Sequence, residues 1–331
     1  MPKIPYAFGY SSIITPNVIR SVRTSNKILS LADQGTLIDI TSGTFSQTFT
    51  AASQLGSGWF CYIRNAGTGD ITLDPNLTEL IDGLSTYIMY GGETRLVQCT
   101  GTAFFSLVLS PFYRAFTASG TFTKPPGYSQ FGGLAWSGGA SGEKNVTGAP
   151  ILAGAGGGCG DFLLLASTVG TTETITIGAG GLGKTTNGDG LVGGNTTIGS
   201  LFTVFAGVLF TNGGSVVSGL KGDSVYAPRG YEGGGNDATS RAGLWGGGSG
   251  SSSGANAPSK SIYGAGAGGS IDNSDTVRAA GASTFGGAGG AASVSSSGTA
   301  GTAPGGGGGA TIDGATSGAG ARGEVRIFGI A

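Results

Sequence analysis

The chain has 331 residues, 70 of them glycine and 11 proline, with a net charge of −1 and no histidine. A neutral chain without a basic run cannot supply the phosphate contacts that dominate nucleic-acid binding, so nucleic acid is excluded as a partner. Without histidine it lacks the commonest general base and metal ligand, and no cofactor or metal is expected.

Glycine at this level points to collagen, a disordered linker or a special repeat architecture. Collagen needs glycine at every third position with abundant proline, and the spacing here wanders. Disorder goes with high charge and few apolar residues, whereas 11% of this chain is charged and 38% is hydrophobic. The three cysteines, Cys61, Cys99 and Cys159, form no C-x-x-C pair and read as small buried apolar residues. The stretch Met1-Pro2-Lys3-Ile4-Pro5-Tyr6 lacks the apolar region of a signal peptide, and no run of about 18 apolar residues follows. The expectation is a protein made in a cytoplasm and not exported by a recognisable route.

Residues 1–27 are rich in turns, with Pro2, Pro5 and Pro16 and the basic residues Lys3, Arg20, Arg23 and Lys27. They read as an N-terminal attachment arm or as a segment packed on its own domain. Residues 28–112 alternate like strands, and a small antiparallel β-domain is expected there. A run from Gly43 reaches Ala52. Period 2 over Trp59 to Arg64 puts Trp59, Cys61 and Ile63 on one face. Asn65 to Gly69 reads as a turn into a return strand, Asp70 to Leu73, and Asp74-Pro75-Asn76 as a second turn. Tyr87 to Tyr90 and Thr94 to Cys99 flank Gly91-Gly92 as another hairpin, and Ala103 to Leu109 closes the unit.

Residues 113–331 read as a β-sandwich-like domain with a large glycine-rich insertion at about 206–322. Strands are expected at 116–124, 128–136, 162–165, 173–177, 200–205 and 323–328. The last must pair with something much earlier, because 220–322 offers almost no strand signal. The glycine region is therefore an excursion with both ends tied into a sheet. Within it Leu244-Trp245, Ser261-Ile262-Tyr263 and Ser283-Thr284-Phe285 each lead into a run of Gly and Ala. Nearly bare backbone must still satisfy its N–H and C=O groups. Extended helices of the polyproline type have no internal hydrogen bonds, and without Cβ atoms such segments can bond to one another side by side. The polar intervals would then be loops at the two ends of the rods.

Two stretches resemble a known group, the glycine-rich tail-fibre and receptor-binding (adhesin) proteins of tailed bacteriophages. One runs from Ile28-Leu29-Ser30-Leu31-Ala32-Asp33 through Ile71-Thr72-Leu73-Asp74-Pro75-Asn76 to Cys99-Thr100-Gly101-Thr102-Ala103. The other runs from Phe116-Thr117-Ala118-Ser119-Gly120-Thr121-Phe122 through Thr174-Ile175-Thr176-Ile177-Gly178-Ala179-Gly180-Gly181 to Gly323-Glu324-Val325-Arg326-Ile327-Phe328-Gly329. The resemblance implies an all-β homotrimer in the virion, with packed polyglycine-II-like rods whose end loops touch a host surface glycan or outer-membrane protein. It also implies that other phage tail proteins are met through the N-terminal arm, and that assembly occurs in the host cytoplasm. The long glycine runs here are diluted by Ala, Ser and charged residues.

Three motifs carry chemistry. Gly178-Ala179-Gly180-Gly181-Leu182-Gly183-Lys184-Thr185 fits the phosphate-binding pattern G-x-x-x-x-G-K-[ST], but the glycines that follow cannot form the helix such a loop needs. It reads as a loop. Asp161, Glu173, Asp189, Asp223, Glu232 and Asp237 are carboxylates of the kind a glycan-degrading spike would pair, and their spacing selects no pair, so no catalytic residue is assigned and no enzyme is expected. The loop candidates for receptor contact are Tyr226, Arg229, Tyr231, Glu232, Asn236, Asp237, Arg241 and Trp245, with Asp272, Asn273 and Asp275 as a second loop. Aromatic and Arg side chains are enriched at binding hot spots; the same residues could instead pack on a neighbouring subunit. The alternatives to a receptor-binding fibre are a tail adaptor or tip protein without receptor contact and a glycan-degrading spike.

Overall fold

The computed structural model describes residues 18–146, 151–206, 247, 258 and 260–331. The chain divides into two compact units, residues 1–110 and 111–331. Nearly all regular structure in both is strand, so the all-β expectation holds.

In the first unit the strands are β1 (Arg20–Arg23), β2 (Leu37–Ile40), β3 (Phe45–Thr48), β4 (Phe60–Asn65), β5 (Ile71–Asp74), β6 (Tyr87–Met89), β7 (Thr94–Cys99) and β8 (Phe104–Ser110). One helical turn, α1 (Ala52–Leu55), joins β3 to β4. Two sheets result, ordered β1-β2-β4-β7-β8 and β3-β5-β6. Trp59, Cys61 and Ile63 are buried between them, as the period of two requires.

Two expected hairpins are absent. β4 and β5 lie in different sheets, as do β6 and β7, so each connection carries the chain from one sheet to the other. The ladders are also mixed rather than purely antiparallel: β1–β2, β2–β4 and β3–β5 run parallel. The physical reason is that local turn chemistry marks where a chain reverses, whereas pairing is set by which apolar face must be covered. Asn65 shows it: its side-chain amide donates to the carbonyls of Gly69 and Met89, so the expected hairpin turn leads into the second sheet.

Beneath the apolar core lies a buried ionic group. Arg95 Nε donates to Glu93 Oε1 at 2.8 Å, with neither side chain exposed. Glu93 also accepts from Tyr87 Oη and the Tyr90 N–H. The Arg95 guanidinium lies over the Tyr87 ring, 4.5 Å from its centroid.

In the second unit the strands are β9 (Tyr113–Phe116), β10 (Gly120–Thr123), β11 (Gln130–Trp136), β12 (Lys144–Asn145), β13 (Cys159–Leu165), β14 (Thr172–Thr176), β15 (Thr196–Ile198), β16 (Phe202–Val204), β17 (Thr311–Ile312) and β18 (Glu324–Ile330). The single strand expected at 116–124 is two, because the chain bends at 117–119 and enters different sheets. The main sheets are β13-β11-β18-β9 and β10-β14-β15-β16. Phe122 of β10 meets Phe131 of β11 at 5.4 Å between ring centroids, and Phe162 of β13 meets Phe202 of β16 at 5.2 Å. Each ring so buried contributes about 1.5–3 kcal/mol relative to exposure. β18 pairs antiparallel with β11 along its whole length, so the two ends of the glycine region are hydrogen-bonded to one another.

Between these strands the glycine segments run side by side, and their hydrogen-bond partners recur at every third residue. From residues 137–143, Ser137, Ala140 and Glu143 donate to Gly158, Ala155 and Leu152; Gly138 and Ser141 donate to Gly194 and Leu191; Gly139 and Gly142 donate to Ala321 and Gly318. Three neighbours are thus addressed in rotation.

Residues 305–312 are central and buried. Gly306 and Gly309 donate to Thr302 and Thr299, Gly307 and Ala310 to Gly266 and Gly269, and Gly308 and Thr311 to Ala140 and Glu143. Their carbonyls in turn accept from Gly157 and Gly154, from Ala321 and Gly318, and from Gly290 and Ser293. One segment therefore bonds six neighbours, three through its donors and three through its acceptors.

This packing explains the composition. A Cβ on Gly308 would fall inside the carbonyl of Gly318, and one on Gly309 inside that of Ala291. Glycine is present because the neighbouring backbone occupies the place of a side chain. The repeat legible at Ser261 and Ser283 becomes a register: the two residues form a parallel bridge, Tyr263 stacks on Phe285 with centroids 4.9 Å apart, and Gly266 and Gly269 donate to Gly287 and Gly290. The third copy, around Trp245, lies outside the described residues.

Candidate binding face at the far end of the glycine array

The direction of each segment follows from the hydrogen bonds. Residues 137–143 leave β11 directly and 178–184 leave β14, while 151–158, 188–195 and 316–323 run back into β13, β15 and β18. Those five passes fix a near end at the strands and a far end beyond them. Residues 264–271, 286–293 and 305–312 run outward in parallel with one another, and 278–282 and 298–303 run back. The turns at 185–187, 272–277, 294–297 and 313–315, and the end of β12, all lie at the far end.

A small apolar cluster of Ile151, Ile271, Ala292, Ala310 and Ile312, with Val294 against it, closes the array beneath these turns. Lys144 ties two turns together: its Nζ donates to the carbonyls of Thr185 at 3.0 Å and Ala315 at 2.9 Å. Thr311 Oγ1 donates to the Ser296 carbonyl at 2.6 Å, fixing a third. Glu143 is buried at their base, where its carboxylate accepts from the Leu152 N–H at 2.8 Å and from Asn145 Nδ2 at 3.2 Å. Burial pushes its carboxyl up from the usual value; the Leu152 N–H opposes the rise and nearby Asp189 adds to it.

Asp272 is itself buried and shapes its own turn. Its Oδ1 accepts from the N–H groups of Ser274 at 2.8 Å and Thr276 at 2.9 Å, and its Oδ2 from Arg278 Nη2 at 2.7 Å. The Thr276 N–H holds this carboxyl below its usual value against the effect of burial, with Ser274 and Arg278 adding to the depression. Of the loop candidates, Asn273 and Asp275 are exposed on this face, while Asp272 supports them from below. Tyr226, Arg229, Tyr231, Glu232, Asn236, Asp237, Arg241 and Trp245 lie outside the described residues.

Sequence reasoning did not select the turns at 185–187, 294–297 and 313–315 as contact loops. A signal for some was present. Ser270-Ile271-Asp272-Asn273 and Thr311-Ile312-Asp313-Gly314 share a pattern in which a hydroxyl residue and Ile end an outward pass and Asp opens a turn. Asp275 and Asp313 adopt the positive φ that Asp tolerates in turns, at 57° and 51°.

The exposed positions of the face include the hydroxyl and amide residues Thr185, Thr186, Asn187, Asn273, Ser274 and Ser295, together with Val146, Val277 and the carboxylates Asp275 and Asp313. Such a surface offers paired donors and acceptors rather than a charged pocket. Among the described residues no group of three or more His, Cys, Asp or Glu gathers as a metal would need.

The phosphate-binding pattern is part of the array. Gly181 N–H donates to Gly139, its carbonyl accepts from Gly320, and the Lys184 N–H donates to Ser317 Oγ at 2.8 Å. Residues 185–187 turn and 188–195 return, so no helix follows. Of the six carboxylates considered for glycan hydrolysis, Asp161 lies on β13, Glu173 on β14 and Asp189 near Glu143, in separate elements. Asp223, Glu232 and Asp237 lie outside the described residues.

A family described as glycine-rich domain matches residues 117–328, well over half of the chain. The protein belongs to this glycine-rich domain family. The matched span starts just before β10 and ends within β18, so it takes in the array and the strands of both sheets except β9. Among curated proteins none matches.

Proposed function

We propose that this glycine-rich domain protein is a bacteriophage tail-fibre or tail-tip protein. It attaches the virion to a host-cell surface glycan or outer-membrane protein, and it does so without catalysis. The observation that supports this reading most is the far face itself, where turns from separate passes meet on one hydroxyl- and amide-rich surface. Those turns are braced from beneath by Lys144, the Asp272 turn and the apolar cluster. A braced surface gives up little conformational entropy on binding.

In the same reading the array is a bundle of polyglycine-II-type helices, for which three residues per turn is the expected period. The protein forms a homotrimer whose N-terminal arm joins it to other tail proteins.

The test is adsorption. Purified chain should bind the strains on which the phage grows, saturably, and should block phage adsorption. Replacing residues 273–276 with a Gly-Ser turn should abolish both while leaving the unfolding transition near native. Binding to tail components alone would replace this reading with a tail adaptor, and release of reducing ends from host polysaccharide would replace it with a glycan-degrading spike.

A further inference from the structure

The sheet β13-β11-β18-β9 carries apolar residues on both faces; one face is buried, and the other, among the described residues, exposes an apolar patch. Phe131, Phe162, Val325 and Ile327 point inward and are buried. On the outer face, register places Leu163, Gly132, Phe328 and Tyr113 in one row, and Leu165, Gln130 and Ile330 in the next. Leu163 is 51% exposed, Leu165 52%, Phe328 41%, Ile330 36% and Tyr113 54%. Gly132 makes them continuous: its missing Cβ would stand 3.0 Å from Phe328 Cζ and 3.5 Å from Leu163 Cδ1.

The opposite end of the same face is closed. Trp136 is fully buried there, its indole N–H donating to the Tyr263 carbonyl at 2.6 Å and the Arg326 guanidinium lying 4.6 Å from the ring centroid. An uncovered contiguous apolar patch of this kind marks an interaction surface.

Charge identifies what covers it. The row beside the patch runs from exposed Asp161 on β13, through Leu134 on β11, to Arg326 on β18. Arg322 and Arg326 share the one carboxylate of Glu324, so the β18 side keeps a surplus positive charge while the β13 side carries a negative one. A single face with opposite charges on its two sides is complementary to itself.

We infer that this face packs against the same face of a second copy of the chain in a closed oligomer. A half-turn about an axis along β11 lays β13 over β18 of the second copy. Asp161 then meets Arg326, Leu163 meets Phe328 and Leu165 meets Ile330, each at matched height. Facing sheets pack about 10 Å apart, at which distance such side chains interdigitate. A half-turn contact closes two copies on each other, so it is a surface separate from the three-fold contacts of the proposed trimer. The inference therefore rests on self-association and not on receptor binding.

Sedimentation of the full chain at micromolar concentration should give a multiple of 32.3 kDa. Leu163→Asp with Phe328→Ser should halve the mass with an unchanged circular dichroism spectrum. Asp161→Arg and Arg326→Asp should each weaken association about tenfold by opposing like charges, and together should restore it. Because Arg326 also packs on Trp136, Leu165→Glu provides a check two rows away from it, and it should halve the mass as well. A wild-type single-chain mass would overturn this inference and the trimer together. An oligomer whose mass is unchanged in the Leu163/Phe328 and Leu165 variants and that shows no charge-swap effect would overturn this interface and leave the trimer standing.

Discussion

In the first unit Gly56 and Gly58 sit at φ of +83° and +88°, with no atom within 4 Å of where a Cβ would stand. In the second unit Gly308 and Gly309 lie outside the positive-φ region, and the place of the Cβ is filled by a neighbouring carbonyl. The first pair is glycine for the sake of its own backbone angles, and the second for the sake of the backbone beside it. The first unit is held by an apolar core and buried side-chain ion pairs. Much of the second is held by main-chain hydrogen bonds between segments that have almost no side chains to pack. Substitutions should separate the two modes.

The largest effect is expected from Gly308→Val. The central pass cannot move away from six hydrogen-bonded neighbours, so the overlap with Gly318 must break the array. A loss of more than about 4 kcal/mol is expected, beyond the ordinary range for a single substitution, measured by denaturant unfolding. A change under 1 kcal/mol would show that the passes are not closely packed. Next comes Arg95→Ala in the first unit. It strands the buried carboxylate of Glu93, and breaking a buried pair from one side costs about 3–5 kcal/mol. Gly58→Ala should be milder, about 1–2 kcal/mol, because only the left-handed angle opposes it. If Gly58→Ala proved as damaging as Gly308→Val, the distinction between the two uses of glycine would fail.

The smallest effects are electrostatic and have opposite signs. The raised carboxyl of Glu143 keeps its proton in the folded state at a pH where the unfolded chain has lost it. Its contribution to stability therefore falls as pH rises through the window from the usual carboxylate value to the raised one. The lowered carboxyl of Asp272 does the reverse: its contribution is present above the unfolded value and is lost as pH falls through the depressed one. Glu143→Gln should raise the melting temperature at neutral pH, and Asp272→Asn should lower it. Melting curves taken from acid to neutral pH would reveal both, and shifts of the same sign would contradict the assignment.

Parts of this architecture could be read from residue order. The β-class followed from period-two runs such as Trp59, Cys61 and Ile63. The closure of β11 on β18 followed from a terminal strand pattern with no local partner. The register of Ser261 against Ser283 was visible as a repeat. Pairing within the first unit was not, because the turns after Asn65 and Tyr90 mark reversals without saying which sheet the chain enters next.

The neighbours within the array were not legible either. A hydrogen bond between two glycine passes leaves no side-chain periodicity behind. Exposed positions such as Leu182 and Leu191 interrupt the glycine pattern where no neighbouring backbone excludes a side chain. At the far face, Asn273 and Asp275 were found as a polar loop. The supporting roles of Lys144 and Glu143 depend on distant partners, Thr185, Ala315 and Leu152, that sequence order alone does not bring together.

Amide hydrogen exchange of residues 305–312 tests the central claim most directly. If this central pass is held by donors and acceptors to six neighbours, its amides should exchange only through the largest opening reactions, as slowly as those of β11 and β18. Exchange at rates near those of an unfolded chain, with β11 and β18 still protected, would contradict an ordered glycine array.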